Sequence, residues 1–135
     1  MSSLDFTIAL RWSDQDANGH LNHARIVTLM EEARVRWTRT GEGFGTLLAG
    51  VVVASLKVDY LAQAEYVPEM TLSLGVERIG TKSFTLRHTG IQGGTTVFVG
   101  TTVIVPLGQD RTSSRALDDD ERRALERNLL EEAQA

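Results

Sequence analysis

One segment with helical periodicity, residues 24–40, stands among stretches whose apolar residues alternate, and it constrains the fold more than any other feature. Its apolar residues recur at helical spacing and form one stripe, while charged residues occupy the remaining surface. The stripe contains Ile26, Val27, Leu29, Met30, Ala33 and Trp37, and the charged set contains Arg25, Glu31, Glu32, Arg34, Arg36 and Arg39. We predict a helix from Ala24 to Thr40, with Asn22 as its N-cap and Gly41 as the residue that ends it.

The segments around this helix have the period of two that is typical of strands. The first is marked by Phe6, Ile8, Leu10 and Trp12 within 5–12, and the second by Val52, Ala54, Leu56, Val58 and Tyr60 within 51–61. The later strands are marked by Met70, Leu72, Leu74 and Val76, by Phe84, Leu86 and His88, and by Val97, Val99, Val103 and Val105. Hairpin turns are predicted at Gly80-Thr81-Lys82 and at Gly93-Gly94. One strand, one long helix and four strands predict the α+β class, with an antiparallel five-stranded sheet wrapped around a long central helix.

The composition becomes polar after Pro106, and a closing helix is predicted beyond it. Asp118 and Glu121 have the spacing of a capping box. The apolar residues of this helix form a narrow stripe, namely Leu125, Leu129 and Leu130. We expect an accessory helix over 118–134 that docks weakly on the sheet or frays. The chain has 135 residues and no evident linker or repeat, so we expect a single domain over 1–135.

The overall charge excludes several classes of function. The net charge of −4 gives no general attraction to nucleic acid or to an anionic membrane, so an anionic ligand requires a local basic patch. The absence of Cys excludes a disulfide framework and thiol catalysis. No segment approaches the length of a membrane span, and Met1 to Phe6 lack the basic and apolar regions of a signal peptide. We expect a cytoplasmic protein with neither nucleic acid nor membrane as partner.

The loop that precedes the helix concentrates acidic, amide and imidazole side chains. With Asn22 as N-cap, free backbone N–H groups and the positive end of the helix dipole lie within a few residues of Asp16. A carboxylate facing such donors favours acyl-group chemistry, because a tetrahedral intermediate needs an attacking base on one side and preorganised donors on the other. The structural alternative is that Asp16 only accepts hydrogen bonds in a turn. His20 and His23, three residues apart with no Cys, are weak evidence for a metal, and we expect none.

The run Asp14-x-Asp16-x-x-Gly19-His20-Leu21-Asn22, which opens a helix carrying Glu31-Glu32-Ala33-Arg34, resembles a known signature. It is similar to that of hotdog-fold acyl-CoA thioesterases of the 4-hydroxybenzoyl-CoA thioesterase type, and the resemblance covers most of the chain. It implies the hotdog topology, with Asp16 as the catalytic carboxylate acting as base or nucleophile. It also implies that the backbone N–H of His23 polarises the thioester carbonyl. We assign His20 and Asn22 to shaping the loop or positioning water, and Asp14 to bracing it.

The sequence departs from the family pattern at three positions. The family often has Asn or an aromatic residue where His23 stands, and Tyr where Ile26 stands. The stretch Asp59-Tyr60-Leu61-Ala62-Gln63 resembles a family segment that usually carries Pro in place of Gln63. A role for the backbone N–H of His23 survives a change of side chain.

The resemblance also implies a binding path for coenzyme A, which enters as part of the substrate rather than as a separate cofactor. Lys82 and Ser83, in the predicted hairpin, are the first candidates to bind its phosphates, and Arg87 is the next. A solvated hairpin is the alternative. Tyr60, with Val27, Met30, Ala33 and Val58, either lines an acyl pocket or belongs to the core. In the family the strand after the helix pairs with its copy, which implies a homodimer or a dimer of dimers.

Two other functions fit the same residues. A hotdog dehydratase or hydratase pairs a His with an acid across the site, and His20, His23 or His88 would supply it. A non-catalytic acyl-CoA-binding module would hold the ligand at the helix N-terminus without cleaving it. The presence of Asp16 favours hydrolysis over simple binding.

Overall fold

The computed structural model describes residues 3–40, 44, 47 and 50–131. In chain order the elements are β1 (Leu4–Ala9), α1 (His23–Thr40), β2 (Val51–Tyr60), β3 (Glu69–Ile79), β4 (Phe84–Gln92), β5 (Thr95–Pro106) and α2 (Asp119–Arg127). The five strands form one antiparallel sheet in the order β1-β3-β4-β5-β2. The α+β class and the hotdog architecture, a five-stranded antiparallel sheet with one long helix, are confirmed.

The core lies between α1 and one face of the sheet. The buried residues of α1 are Ile26, Leu29, Met30, Ala33 and Trp37, all members of the predicted stripe. The helix comes close to the sheet at Gly100, where a Cβ atom would lie 2.5 Å from the Cε of Met30. Since real atoms do not approach so closely, a larger residue at position 100 would require the end of the Met30 side chain to shift.

The helix α1 begins at His23, one residue before the predicted Ala24, and its predicted N-cap is confirmed. The Oδ1 of Asn22 accepts a hydrogen bond from the N–H of Ala24 at 2.8 Å, which makes Asn22 the N-cap. Gly41, the predicted end, lies outside the described residues. Arg34 differs from its predicted place on the charged surface, because its side chain is only 14% exposed.

The first strand is shorter than predicted. It ends at Ala9, whereas the alternation extends to Trp12. The carboxylate of Asp14 accepts a hydrogen bond from the N–H of Arg11 at 2.9 Å, and the chain turns through a 3-10 helix at Trp12–Asp14. Trp12 therefore leaves the sheet and is 76% exposed.

The alternation in β2 is interrupted by a bulge. Val53 pairs with Ile104 of β5 while Ser55 pairs with Val103, so Ala54 is an extra residue. Leu56, Val58 and Tyr60 share the face that carries the buried residues of β5, as predicted. On the N-terminal side of the bulge the two faces exchange, so Val53 rather than Val52 lies on that face. The predicted grouping of Val52 and Ala54 with Leu56 is therefore wrong.

In β5 the valines indicate where the strand lies, but most of them are not on its most buried face. Phe98, Gly100, Thr102 and Ile104 are buried, whereas Val99, Val103 and Val105 are half-buried. A glycine and a threonine on the core side weaken the apolar signal there, since Gly100 makes room for Met30. The predicted turns are present at Gly80, whose N–H donates to the carbonyl of Ser83, and at Gly93-Gly94, where both φ angles are positive.

The closing helix begins as predicted and ends earlier. Its capping box is present, because Asp118 accepts from the N–H of Glu121 and Glu121 accepts from the N–H of Asp118. The helix ends at Arg127, so the expected extent of 118–134 is wrong; residues 132–135 lie outside the described part. After it, the carbonyl of Asn128 accepts from the N–H of Val76 in β3, so the chain pairs with the sheet instead of continuing the helix.

The closing helix also packs more firmly than expected. Ala124 and Leu125 are fully buried, and Leu129 packs against the core. Within the described ranges, neither helix is long and apolar enough to cross a membrane.

Candidate active site

An open cleft of about 470 Å³ lies at the N-terminal end of α1. One wall is the loop that leads into the helix, and the other is the segment that follows β2. The lining residues are Asp16, Asn18, His20, Leu21, His23, Ile26, Tyr60, Leu61, Ala62, Gln63 and Ala64. The structure therefore brings together four of the predicted site residues, Asp16, His20, His23 and Tyr60, and Asn22 caps the helix beside them.

Asp16 holds the loop with one carboxylate oxygen. Its Oδ1 accepts hydrogen bonds from the N–H of Asn18 at 2.9 Å and of His20 at 3.2 Å. Its own N–H donates to the carbonyl of His20 at 2.8 Å. Within the described part of the chain, Oδ2 accepts no hydrogen bond. The side chain thus contributes to the turn and leaves one oxygen for a ligand or a water molecule.

Asp14 braces the loop, as expected. It is 1% exposed, and its two oxygens accept from the backbone N–H and the guanidinium of Arg11 at 2.9 and 3.2 Å. Its carbonyl accepts from the N–H of Asn22 at 2.8 Å, which fixes the N-cap. Asp14 therefore connects the 3-10 helix to the start of α1 and does not line the cleft.

The first turn of α1 leaves one backbone donor unpaired. The N–H of Ala24 is bound by the Asn22 side chain, and those of Arg25 and Ile26 by the Asn22 carbonyl. Among the residues that the structure describes, the N–H of His23 has no acceptor. A helix N-terminus with an unpaired N–H favours a negatively charged or polarised oxygen.

Tyr60 joins the end of β2 to the start of α1. Its hydroxyl donates to the carbonyl of His23 at 2.9 Å, and its ring meets the His23 ring edge to face at 6.3 Å between centroids. The His23 ring is exposed, and the backbone of His20 forms an isolated bridge with Glu65. Tyr60 thus fixes the helix end against the sheet and leaves the imidazoles at the rim of the cleft.

The residues predicted to bind phosphate are not in this cleft within one chain. Lys82 and Ser83 lie in the turn between β3 and β4, next to Phe84. Phe84 pairs with Ile104 of β5, and Ile104 pairs in turn with Val53 of β2. The cleft lies at the other end of β2, at Tyr60, roughly 23 Å away at about 3.3 Å per residue.

Arg87 is also separate from the cleft and is already engaged. Its guanidinium forms an ion pair with Glu77 of the neighbouring strand at 2.8 Å. It is half-buried between β3 and β5. Arg87 therefore has a partner within the sheet and does not line the cleft.

The described residues contain no cluster of three or more His, Asp or Glu side chains able to hold a metal ion. The groups in the cleft that suit acyl chemistry are the Asp16 carboxylate, the unpaired N–H of His23 and the imidazoles of His20 and His23. A carboxylate and a donor on opposite sides of a carbonyl can catalyse acyl transfer.

A second cavity, of about 250 Å³, lies farther along α1 and contains residues that sequence reasoning did not assign to a site. His88 and Thr102 lie in its wall, with Arg34 on the helix. From the sequence, His88 is predicted only to lie in a strand or to act as the catalytic His of a dehydratase. The available signal was a histidine at a buried position of an alternating strand, which requires a partner or a ligand.

Known proteins resemble the whole chain. An uncharacterized protein of Bacillus subtilis (strain 168), YsmA, is 27% identical over 123 residues, covering 87% of this chain and 82% of its own length. The structure of a predicted thioesterase from Bacillus stearothermophilus superposes with a TM-score of 0.86 and 25% identity, covering 98% of this chain and 99% of that chain. A thioesterase from Thermus thermophilus, in complex with coenzyme A and zinc, has a TM-score of 0.81 and 24% identity, with 92% of each chain covered.

The match extends to a sequence family. Residues 10–125 match the Thioesterase-like superfamily, and they include the loop, both walls of the cleft and all of α1. This chain belongs to the Thioesterase-like superfamily.

Proposed function

We propose that this protein is an acyl-CoA thioesterase of the 4-hydroxybenzoyl-CoA thioesterase type, which hydrolyses a thioester to a free acid and coenzyme A. The observation that carries the proposal is the pairing, in one open cleft, of the Asp16 carboxylate with the unpaired N–H of His23. Membership of the superfamily and the likeness to structures of thioesterases support it.

In the proposed mechanism the thioester carbonyl oxygen accepts a hydrogen bond from the N–H of His23. This donor and the helix dipole stabilise the negative charge that develops on the oxygen. Asp16 lies in the same cleft, and its Oδ2 is the oxygen that reacts. The backbone bonds to Oδ1 hold the carboxylate in place, which lowers the cost of orienting it.

Two routes use this arrangement. As a general base, Asp16 takes a proton from water, the hydroxide adds to the carbonyl carbon, the C–S bond breaks and the thiolate is protonated. As a nucleophile, Asp16 bonds to the carbonyl carbon, the C–S bond breaks, and water hydrolyses the anhydride and restores the carboxylate. Both routes consume one water molecule and give an acid and a thiol.

Coenzyme A enters this site as part of the substrate in our proposal. The complex of coenzyme A with the Thermus thermophilus thioesterase supports this ligand class. We propose that Lys82 and Ser83 of a partner subunit contact its phosphates, since in one chain they lie at the far end of the sheet. An antiparallel pairing of two β2 strands would bring the partner's Lys82 to the end of the sheet that carries the cleft.

The test is a panel of acyl-CoA thioesters with the released thiol detected, run beside a panel of 3-hydroxyacyl and enoyl thioesters. We expect release of free coenzyme A from at least one thioester and no interconversion of the hydroxyacyl and enoyl compounds. Hydration or dehydration without thiol release would favour a dehydratase that uses His20 or His23. Intact acyl-CoA recovered after long incubation would favour a binding module and contradict the proposal.

A further inference from the structure

The second cavity lies along α1, on the C-terminal side of the residues that line the proposed active site. Its apolar walls are Val27 and Met30 of the helix and Val53 and Leu56 of β2. Val27 is four residues from His23, about 6 Å along a helix. At roughly 30 Å³ per small group, the cavity of about 250 Å³ accommodates roughly eight non-hydrogen atoms. The His23 N–H and this cavity are therefore about one helical turn apart, a distance that a short acyl group can span.

The wall of this cavity contains an unsatisfied buried histidine. His88 is 1% exposed, and its Nε2 lies 3.2 Å from the hydroxyl of Thr102. Its Nδ1 is buried and has no hydrogen-bond partner in the described structure. A buried polar atom without a partner is unfavourable, so its presence beside a cavity points to a ligand that satisfies it.

Arg34 gives the same cavity a second set of unused donors. Its side chain is 14% exposed, and in the described structure its guanidinium makes one long hydrogen bond, 3.4 Å to the exposed Glu31. A guanidinium has five N–H donors, so most of them have no acceptor here. Burial first, and the Arg34 charge second, lower the pKa of His88 from 6.5 to about 3, which leaves the imidazole neutral at neutral pH.

Both groups therefore favour the same partner, an oxygen atom. A guanidinium only donates, and a neutral imidazole can donate to an oxygen or accept from a hydroxyl. A plain alkyl chain would fill the apolar walls and leave Nδ1 of His88 and most of the Arg34 donors without an acceptor or partner.

We propose that His88, with Arg34, recognises an oxygen substituent on the acyl group, so that the preferred substrates are short acyl thioesters carrying a hydroxyl or carboxyl group away from the thioester carbonyl. The proposal rests on the proposed thioesterase function and makes His88 a specificity-determining residue. Thr102 acts as the residue that positions the imidazole.

Binding, rather than hydrolysis, tests the proposal. The ligands are the S-hexyl, ω-hydroxyhexyl and ω-carboxypentyl thioethers of coenzyme A, which cannot be hydrolysed. Calorimetry on the full chain should show that at least one oxygenated thioether binds about tenfold more tightly than the hexyl compound, as one added hydrogen bond predicts. Their rank shows whether the cavity prefers a hydroxyl or a carboxyl group.

The double variant His88→Leu/Thr102→Val removes the imidazole and the hydroxyl and keeps the side-chain volume close to that of the original pair. It should bind the hexyl thioether as tightly as the wild type and lose most of the preference for oxygen, since only Arg34 remains to contact the substituent. Thr101→Val, the same change on the opposite face of β5, is the matched control and should keep the preference.

Two results would overturn the proposal in distinguishable ways. Equal affinity of the wild type for all three thioethers would mean that the acyl group satisfies neither His88 nor Arg34, and an unchanged preference in the double variant would mean that His88 does not determine it. Failure of the wild type to bind any of them would contradict the acyl-CoA assignment itself.

Discussion

Asp14 and Asp16 are two residues apart in one loop and have different environments. Both oxygens of Asp14 are occupied by Arg11, and its side chain is buried. Asp16 uses one oxygen for backbone N–H groups and lines the cleft. The loop geometry therefore assigns bracing to the first acid and leaves the second able to both stabilise the turn and react.

His88 should make the stability of the protein depend on pH in a defined window. Its pKa is about 3 in the folded protein and 6.5 as the reference value. As pH falls from about 6.5 towards 3, the unfolded chain binds a proton that the folded protein does not, so the free energy of unfolding decreases. The decrease approaches about 1.4 kcal/mol per pH unit, and above pH of about 6.5 this residue contributes no pH dependence.

Urea unfolding of the wild type and of His88→Leu, from pH 7 to pH 4, checks this prediction. The variant should lose stability less steeply as the pH falls, since the carboxylates and the other histidines are common to both proteins. Parallel pH profiles would show that His88 titrates normally in the folded state.

The sequence predicts contacts between residues that are close in the chain better than contacts between residues on different elements. Asp16 and the Asn22 cap lie within one contiguous loop, so their spacing alone indicates how they meet the helix end. His88 and Thr102 are on different strands, and Arg34 is on α1. Their meeting depends on sheet register and helix placement, which no local pattern of the sequence contains.

The closing element α2 is held by a buried ion pair. The guanidinium of Arg115 binds both oxygens of Glu121, at 2.8 and 2.7 Å, and Glu121 is fully buried. These hydrogen bonds raise the pKa of Arg115. The pair, together with Ala124 and Leu125 in the core, explains why a helix with a narrow apolar stripe docks firmly.

Arg115→Met should destabilise the protein by about 3 kcal/mol, because it removes the guanidinium from a buried carboxylate. The side chain of Arg115 is 26% exposed, so the low end of the range for buried pairs applies. The double variant Arg115→Met/Glu121→Met should recover most of this loss. Urea unfolding compares the three proteins, and a single variant as stable as the wild type would show that the pair contributes nothing.

The periodicity of this chain predicts which helices and strands exist and in what order. It predicts less well which residues of a strand face the core. The extra residue at Ala54 shifts β2 by one position, and no alternation pattern distinguishes this from a regular strand. In β5 the core side carries Gly100 because Met30 occupies the space that a side chain would need. Bulges and close contacts are tertiary features, so they limit what the sequence alone predicts.

For the whole molecule, the exposed strand β2 suggests an assembly. β2 is an edge of the sheet, and Val52, Val53, Leu56 and Tyr60 on it are 43–48% exposed. An unpaired apolar edge favours pairing with a second copy. Light scattering at micromolar concentration should give at least twice the chain mass of 14.8 kDa. A stable, active monomer would contradict this prediction.

Lys82→Ala tests whether the turn between β3 and β4 contributes to a site in the assembly. The substitution should raise KM up to about tenfold with kcat little changed, because it removes an interaction made equally in ground and transition states. Added salt should raise KM of the wild type more than that of the variant. Unchanged KM and salt response would place the phosphates elsewhere.

We propose Asp16 as the reacting carboxylate, and the substitution Asp16→Asn tests this role. An asparagine Oδ1 can still accept from the N–H groups of Asn18 and His20, so the loop should keep its shape. We predict that kcat for thioester hydrolysis falls about a hundredfold or more, while Kd for a non-hydrolysable acyl-CoA analogue stays within a few-fold of the wild type. Asp14→Asn, the same change two residues earlier, should reduce thermal stability and leave kcat of the folded protein largely intact. An Asp16→Asn protein that retains more than about a tenth of wild-type kcat would show that Asp16 is not the reacting carboxylate.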